Sequence, residues 1–265
     1  MSLSLADLIK TAEITGDGLL VEPGPGWTQG RTAYGGLTAA LCLAAAERKA
    51  APGRPLRSAM ISFVGPSAGR LEVTSELLRE GRTASAVRTR LSSEAGIGVE
   101  AVFTFSGGRD SVLDYEGPAL PAGAAPPGPD AAPLVFPDGA PEFTRRFEFV
   151  WASDTAPFSG ASEPVERAWV RHADPESRTH PLALLCLADA LPPAACTMLQ
   201  TFAPLSSMTW MIDFLGEPPE TEEGWWLLEA RADQTERGHS SQDMTIWNAV
   251  GRCVAKGRQT VAIFV

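Results

Sequence analysis

Asp189 stands at the end of an apolar run, Leu182-Ala183-Leu184-Leu185-Cys186-Leu187-Ala188. An unpaired carboxylate among such residues is costly, and burial favours the protonated form, which makes a carboxylate a stronger base. That suits the activation of a water molecule. The same residue, three positions before Pro192, equally fits a solvated carboxylate in the last turn of a helix, and the run alone does not choose. A second candidate is Gly35-Gly36, preceded by Tyr34. At a helix start such a pair offers backbone N–H groups without intrahelical partners, able to bind a carbonyl oxygen or a developing oxyanion. A tight turn that needs residues without a Cβ is the plain alternative. His172, His180 and His239 form no triad or metal spacing. Cys42, Cys186, Cys196 and Cys253 form no Cys-x-x-Cys pair and read as buried apolar thiols. No metal and no cofactor is expected.

The elements that must position these residues follow from periodicity. An apolar helical pattern begins at Gly36, runs through Leu37, Ala40, Leu41, Leu43 and Ala44 to Glu47, and is closed by Pro52-Gly53. It is apolar nearly all round and so must be covered on most sides. Strands are predicted over Leu56 to Val64, Gly69 to Leu78, Thr83 to Leu91 and Val99 to Phe105, joined by hairpin-length connections and therefore antiparallel. The second half repeats this grammar: a helix from about His180 to Leu191, stopped by Pro192-Pro193, then strands near Leu205 to Leu215, Trp225 to Gln234, Ser240 to Asn248 and Cys253 to Phe264. Extra strands are expected at Gly18 to Glu22, Phe143 to Trp151 and Val165 to Arg171. The tryptophans, Trp210, Trp225, Trp226 and Trp247 among them, read as core and sheet-face packing, with Trp210 adjoining the strand hydroxyls.

The repetition is visible in the letters. Met60-Ile61-Ser62-Phe63-Val64-Gly65 with Pro66 matches Met211-Ile212-Asp213-Phe214-Leu215-Gly216 with Pro218 at an offset of 151 residues, and Gly96 matches Gly251 at an offset of 155. Between the copies lies a stretch rich in Pro, Ala and Gly, a composition that removes backbone donors and fixes extended geometry. The chain therefore divides into residues 1–107, a linker at 108–140, and residues 141–265, the outer two being an internal duplication. By these offsets Asp189 corresponds to Thr38 and Gln259 to Thr104. The first half lacks the acid, which predicts one competent site per chain.

Composition bounds the partners. At 265 residues and 44% hydrophobic content the chain can bury a sizeable core. A net charge of −10 and a pI near 4.9 repel phosphate backbones and anionic lipid, so neither nucleic acid nor a membrane is an expected partner. Met1 to Lys10 lack a basic segment followed by an apolar run, and no stretch approaches the roughly 20 apolar residues of a span. A cytoplasmic location and, from exposed sheet edges, a homodimer or larger homo-oligomer are expected.

Tyr34-Gly35-Gly36 before an apolar helix, then Ser58-Ala59-Met60-Ile61-Ser62-Phe63-Val64-Gly65-Pro66, then Leu78-Arg79-Glu80-Gly81-Arg82-Thr83, resembles the acyl-CoA thioesterase II family, over nearly the whole chain outside the linker. The arginine-proline step common at the end of that family's strand is absent, since Gly65 precedes Pro66. The resemblance implies an α+β fold, a tandem or double hot-dog with two long core helices each wrapped by antiparallel sheet and a thioester site between the copies. The implied activity is hydrolysis of an acyl-CoA thioester, with a place in lipid metabolism. It also implies a catalytic set of a helical Asp, a Ser or Thr on the next strand and a Gln on the last strand, together holding a water. These fall on Asp189, on Ser207 or Thr209, and on Gln259, with Tyr34, Gly35 and Gly36 at the substrate; period-two geometry leaves Ser207 and Thr209 open. For CoA phosphates the candidates are Arg31, Arg79, Arg82 and Arg88. A non-catalytic acyl or acyl-CoA binding protein, and a hot-dog hydratase or dehydratase, are the alternatives on the same fold. The latter needs an Asp-His pair that neither helix carries.

Overall fold

The computed structural model describes residues 3–214, 216 and 219–265. The sequence matches at Leu215 and Pro218, and the end of the strand read to Leu215, lie outside the described residues. Contacts divide the chain into two compact units. The first comprises residues 1–107, 135–148 and 172–190, and the second residues 108–134, 149–171 and 191–265.

The first unit begins with α1 (Leu5–Thr11), whose Ser4 cap and Asp7 close a capping box, followed by β1 (Glu13–Thr15) and β2 (Gly18–Val21). A small hairpin, β3 (Thr28–Gln29) and β4 (Thr32–Ala33), leads into α2 (Gly35–Glu47). Ala and Leu dominate α2, which gives it helix propensity, and Gly36 to Ala46 are all buried. This is the all-round burial that its sequence demands. Leu37 and Leu41 are wholly inaccessible, each contributing about 1.5–3 kcal/mol of transfer free energy. Around α2 run β5 (Leu56–Phe63), β6 (Leu71–Glu80), β7 (Ala84–Ser93) and β8 (Gly96–Ser106). The strand order is β1-β2-β6-β7-β8-β5, antiparallel throughout.

The next strands are β9 (Phe147–Trp151), preceded by a 3₁₀ turn over Glu142–Arg146 where strand had been expected, and β10 (Val165–His172). Two short helices follow, α3 (Pro175–Arg178) and α4 (Ala183–Ala188). The helix expected from His180 to Leu191 is thus cut to six residues. Pro181 disfavours helical geometry at His180, and Pro192 does the same at Leu191, which leaves Asp189 at the C-cap rather than inside a helix.

The second unit's strands are completed by β11 (Leu205–Phe214), β12 (Trp226–Glu236), β13 (His239–Asn248) and β14 (Cys253–Ile263). Their order is β9-β10-β12-β13-β14-β11. With β9 in the place of β1 and β10 in that of β2, it repeats the first unit strand for strand, as a duplicated chain should. A 3₁₀ turn over Ala194–Met198 follows Pro193. The segment rich in Pro, Ala and Gly has neither helix nor strand up to Pro141. Its Ala124 and Leu120 pack with Trp169, Trp225, Leu227, Trp247 and Cys253, and the Trp247 indole donates to the Pro118 carbonyl at 2.7 Å. These tryptophans are packing residues, as their strand setting suggested.

Candidate active site

Two clusters contain the residues singled out by sequence, one in each unit. In the first, α2 opens on Gly35-Gly36, and the two glycines do different work. A Cβ on Gly35 would lie 2.5 Å from Asp189 Oδ2 and 3.2 Å from the ring of Phe63 at the end of β5. A Cβ on Gly36 would fall on the Cys186 carbonyl oxygen and 2.5 Å from the Tyr34 hydroxyl. Gly36 is therefore what lets the backbones of α2 and α4 approach, whereas Gly35 leaves room for a carboxylate at the helix start. Tyr34, the N-cap of α2, makes no side-chain cap bond. The first turn of this 13-residue helix, with its positive end, therefore has no side-chain cap, and Gly35 in that turn lies beside Asp189.

Tyr34 itself is a structural member of this cluster. Its ring stacks on Phe143 at 4.0 Å, and its hydroxyl donates to the Cys186 carbonyl at 2.8 Å. Burial, with the negative charge of Asp189 and then Cys186 beside it, pushes the phenol well above its ordinary range. Burial and Asp189 likewise push the Cys186 thiol up. Both stay protonated at neutral pH, so neither is a nucleophile. Asp189 is half-buried. Thr38, its counterpart by the repeat, is buried and turns its hydroxyl back to the Gly35 carbonyl.

In the second unit the central fact is a run of directed hydrogen bonds. Gln259 Nε2 donates to Ser207 Oγ at 3.0 Å, Gln242 Nε2 donates to Gln259 Oε1 at 2.8 Å, and the Ala194 N–H donates to Gln242 Oε1 at 2.9 Å. Register builds this. Gln259 on β14 pairs with Gln242 on β13 and with Trp210 on β11, so all three share one face of the sheet. A bulge at Met208 shifts the β11 register, pairing Ser207 with Val261 but Thr209 with Thr260. Ser207 therefore lies on the Gln259 face, and Thr209 lies on the opposite face, exposed. Simple alternation had put the two hydroxyls together. Gln259 is 3% exposed, not the solvated residue that strand alternation suggests.

Sequence reading missed Phe63, Gln242 and Glu166. Phe63 belongs to the repeated motif, but only the fold brings it to Gly35. Glu166 on β10 is wholly inaccessible, and neither carboxylate oxygen has a hydrogen-bond partner among the described residues. Burial raises its pKa well above the ordinary carboxylate value, and its proximity lifts the Cys196 thiol, itself pushed up to about 12 mainly by burial. Because the folded pKa is the higher, this acid holds its full stability below the unfolded value of about 4.5 and loses it as pH rises toward the folded value. Relative to Glu166→Gln, the wild type should lose about 1.4 kcal/mol of stability per pH unit over that window. Urea melts of both proteins between pH 5 and pH 8 check this; parallel curves would contradict it.

Of the candidate CoA ligands, Arg31, Arg79 and Arg82 are exposed and Arg88 is ion-paired with Glu76. His172 is buried, donates from Nε2 to the Ala183 carbonyl, and is held down to about 4 by burial, hence neutral. Among the described residues no group of three or more His, Cys, Asp or Glu could hold a metal ion, and no helix is long and apolar enough to cross a membrane.

The acyl-CoA thioesterase C-terminal domain family matches residues 120–263, more than half of the chain, and the acyl-CoA thioesterase N-terminal domain family matches residues 23–106. No curated protein matches the sequence. Among solved structures, the chain is similar to a conserved protein of unknown function with the hot dog fold from Alicyclobacillus acidocaldarius. The TM-score is 0.85 at 20% identity, over 100% of this chain and 99% of that one. It is similar also to the tesB protein of Mycobacterium avium subs paratuberculosis, with a TM-score of 0.74 at 20% identity over 98% and 99% of the two chains. Acyl-CoA thioesterase II TesB2 from Mycobacterium marinum gives 0.72 at 17% identity over 96% and 95%. At such identities the structural likeness is one of fold, and that fold is the tandem hot-dog.

Proposed function

The chain belongs to the acyl-CoA thioesterase family, and on that premise we propose that it hydrolyses an acyl-CoA thioester to the free acid and CoA by means of an activated water. The observation that carries this reading is the Asp189 carboxylate, seated where a side chain on Gly35 would otherwise stand. Asp189 takes a proton from water as the water oxygen bonds to the thioester carbon. The carbonyl oxygen becomes an oxyanion, for which N–H groups at the start of α2 are suitable donors. The carbon–sulfur bond then breaks, the electron pair leaves on CoA sulfur, and a proton completes the thiol. Ser207 and Gln259 serve as the hydroxyl and amide that orient the reacting groups. This reading assigns acyl-CoA as substrate, the cytoplasm as compartment and further copies of the chain as partners.

A panel of acyl-CoAs of different length, with thiol release followed by a chromogenic disulfide, tests it. Thiol should appear in equal amount to acid for at least one class. Loss of enoyl absorbance without thiol would mean a hydratase, and saturable binding without thiol a carrier; either would end the proposal.

A further inference from the structure

The buried acid Glu166 lies in the second unit, beneath two short segments of chain that are bonded to each other. On β10 its side chain shares the core face with Ala168 and Val170, all three inaccessible, and register sets Ala230 of β12 and then Met244 of β13 beside it. The 3₁₀ turn over Ala194–Met198 packs on β12, and its Cys196 is close enough for the charge of Glu166 to act on the thiol. Residues 156–163, which lead into β10, are stitched to this turn. The Phe158 N–H donates to the Cys196 carbonyl at 2.8 Å, the Gly160 N–H to the Leu199 carbonyl at 2.9 Å, and the Ala161 N–H to the Thr197 carbonyl at 2.8 Å. The Thr197 hydroxyl donates to the Glu163 carbonyl at 3.2 Å. The sheet below is tied by ladders along both edges of β12, whereas the two segments are joined by these few bonds. Phe158 makes its bond with φ at 61°, in the left-handed region that disfavours a side chain, and the Phe202 ring it packs on is 72% exposed. These segments are thus the weak side of the packing around Glu166.

We propose that residues 156–163 and 194–199 form a pH-sensitive clip in the second unit, closed over Glu166 when it is protonated and lifted to admit water when it is ionised. A neutral carboxyl stands in apolar packing at modest cost, but an ionised one needs donors or a cation. Among the described residues neither oxygen has a donor, and no cation faces them. Arg167 and Glu229 pair with each other on the opposite face of β10 and β12, where Arg231 of β12 and Asp243 of β13 also lie. Asp154, before the clip, and Glu163, within it, are exposed, and the Cys196 thiol is the titratable group that faces Glu166. Burial is therefore what keeps the acid protonated, well above the ordinary carboxylate range. Rising pH sets that burial against the charge, and the side that yields is the one held by the fewest bonds. Lifting the turn also withdraws the Ala194 N–H from Gln242, so opening is felt on β13 as well. None of this depends on the reaction that the chain performs.

Hydrogen exchange at the amides of Phe158, Gly160 and Ala161 reads the clip bond by bond, in the full chain between pH 5 and pH 9. Glu166→Gln is the reference, since it keeps the shape and cannot ionise. The protection of these amides in the wild type, divided by that in the variant, should fall by about tenfold per pH unit, because the step that exposes them releases one proton. At every pH they should also be far less protected than Ile246 and Ala255, in the ladder of β13 and β14, which exchange only when the unit unfolds. A ratio independent of pH would mean that the segments open without reference to Glu166. Protection equal to that of the ladder would mean that water reaches the acid only through unfolding. Either result would overturn the proposal. Should Glu166→Gln fail to fold, Glu166→Met, apolar and of similar length, serves as the reference with the same expected ratio and the same contrary results.

Discussion

Gly35→Ala should lower kcat by about a hundredfold while leaving the melting temperature unchanged or slightly raised. The added methyl would stand 2.5 Å from Asp189 Oδ2 and 3.2 Å from the Phe63 ring. Both neighbours are side-chain atoms, so they give way and the backbone does not. A displacement of about 1 Å at a catalytic group costs on the order of 10²-fold in rate, whereas alanine for glycine in a helix gains about 0.5–1 kcal/mol. Gly36→Ala should behave in the opposite manner. There the methyl meets the backbone carbonyl oxygen of Cys186, which cannot move without parting α2 from α4. The loss should be of stability first, seen as a lower melting temperature before any effect on kcat. Steady-state kinetics and thermal melts of the two variants check the contrast. Equal behaviour, or a fully active Gly35→Ala, would mean that the space beside Asp189 is not used in the reaction.

The contrast also marks where sequence reasoning stops. Two adjacent glycines at a helix start were legible as such, because a glycine pair, an apolar run and a closing Pro52-Gly53 are local signals. Which of them faces the acid depends on the rotation of α2 about its axis relative to α4, and nothing local fixes that. The strands of both units lie close to their predicted bounds, since alternation and turn residues act over a few positions. The length of α4 was overestimated because the apolar pattern continues past residues where proline forbids the helix. Ser207 and Thr209 stayed equivalent while perfect alternation was assumed, and a single bulged residue at Met208 separates them. Gln242 and Glu166 escaped notice for a related reason. A polar residue in a strand reads as outward-facing, and only the register with Gln259 and Ala230 shows that each lies inside.

Asp189→Asn should have the larger effect of the two. Asparagine keeps the shape of the side chain and removes its capacity to take a proton. Loss of a general base costs about 10²- to 10⁴-fold, so a fall in kcat of about a thousandfold is expected, with KM nearly constant because the base acts in the transition state and not in substrate binding. The fold should be retained, since Asp189 caps α4 through its backbone, whose N–H donates to the Leu187 carbonyl. A thermal melt of the variant checks that the loss is chemical.

The most direct measurement is kcat for thiol release by the wild type and by Asp189→Asn, side by side, on whichever acyl-CoA the wild type turns over fastest. The expected result is brisk release by the first and a rate about a thousandfold lower in a folded second. Comparable rates in the two proteins would contradict a water-activating role for Asp189.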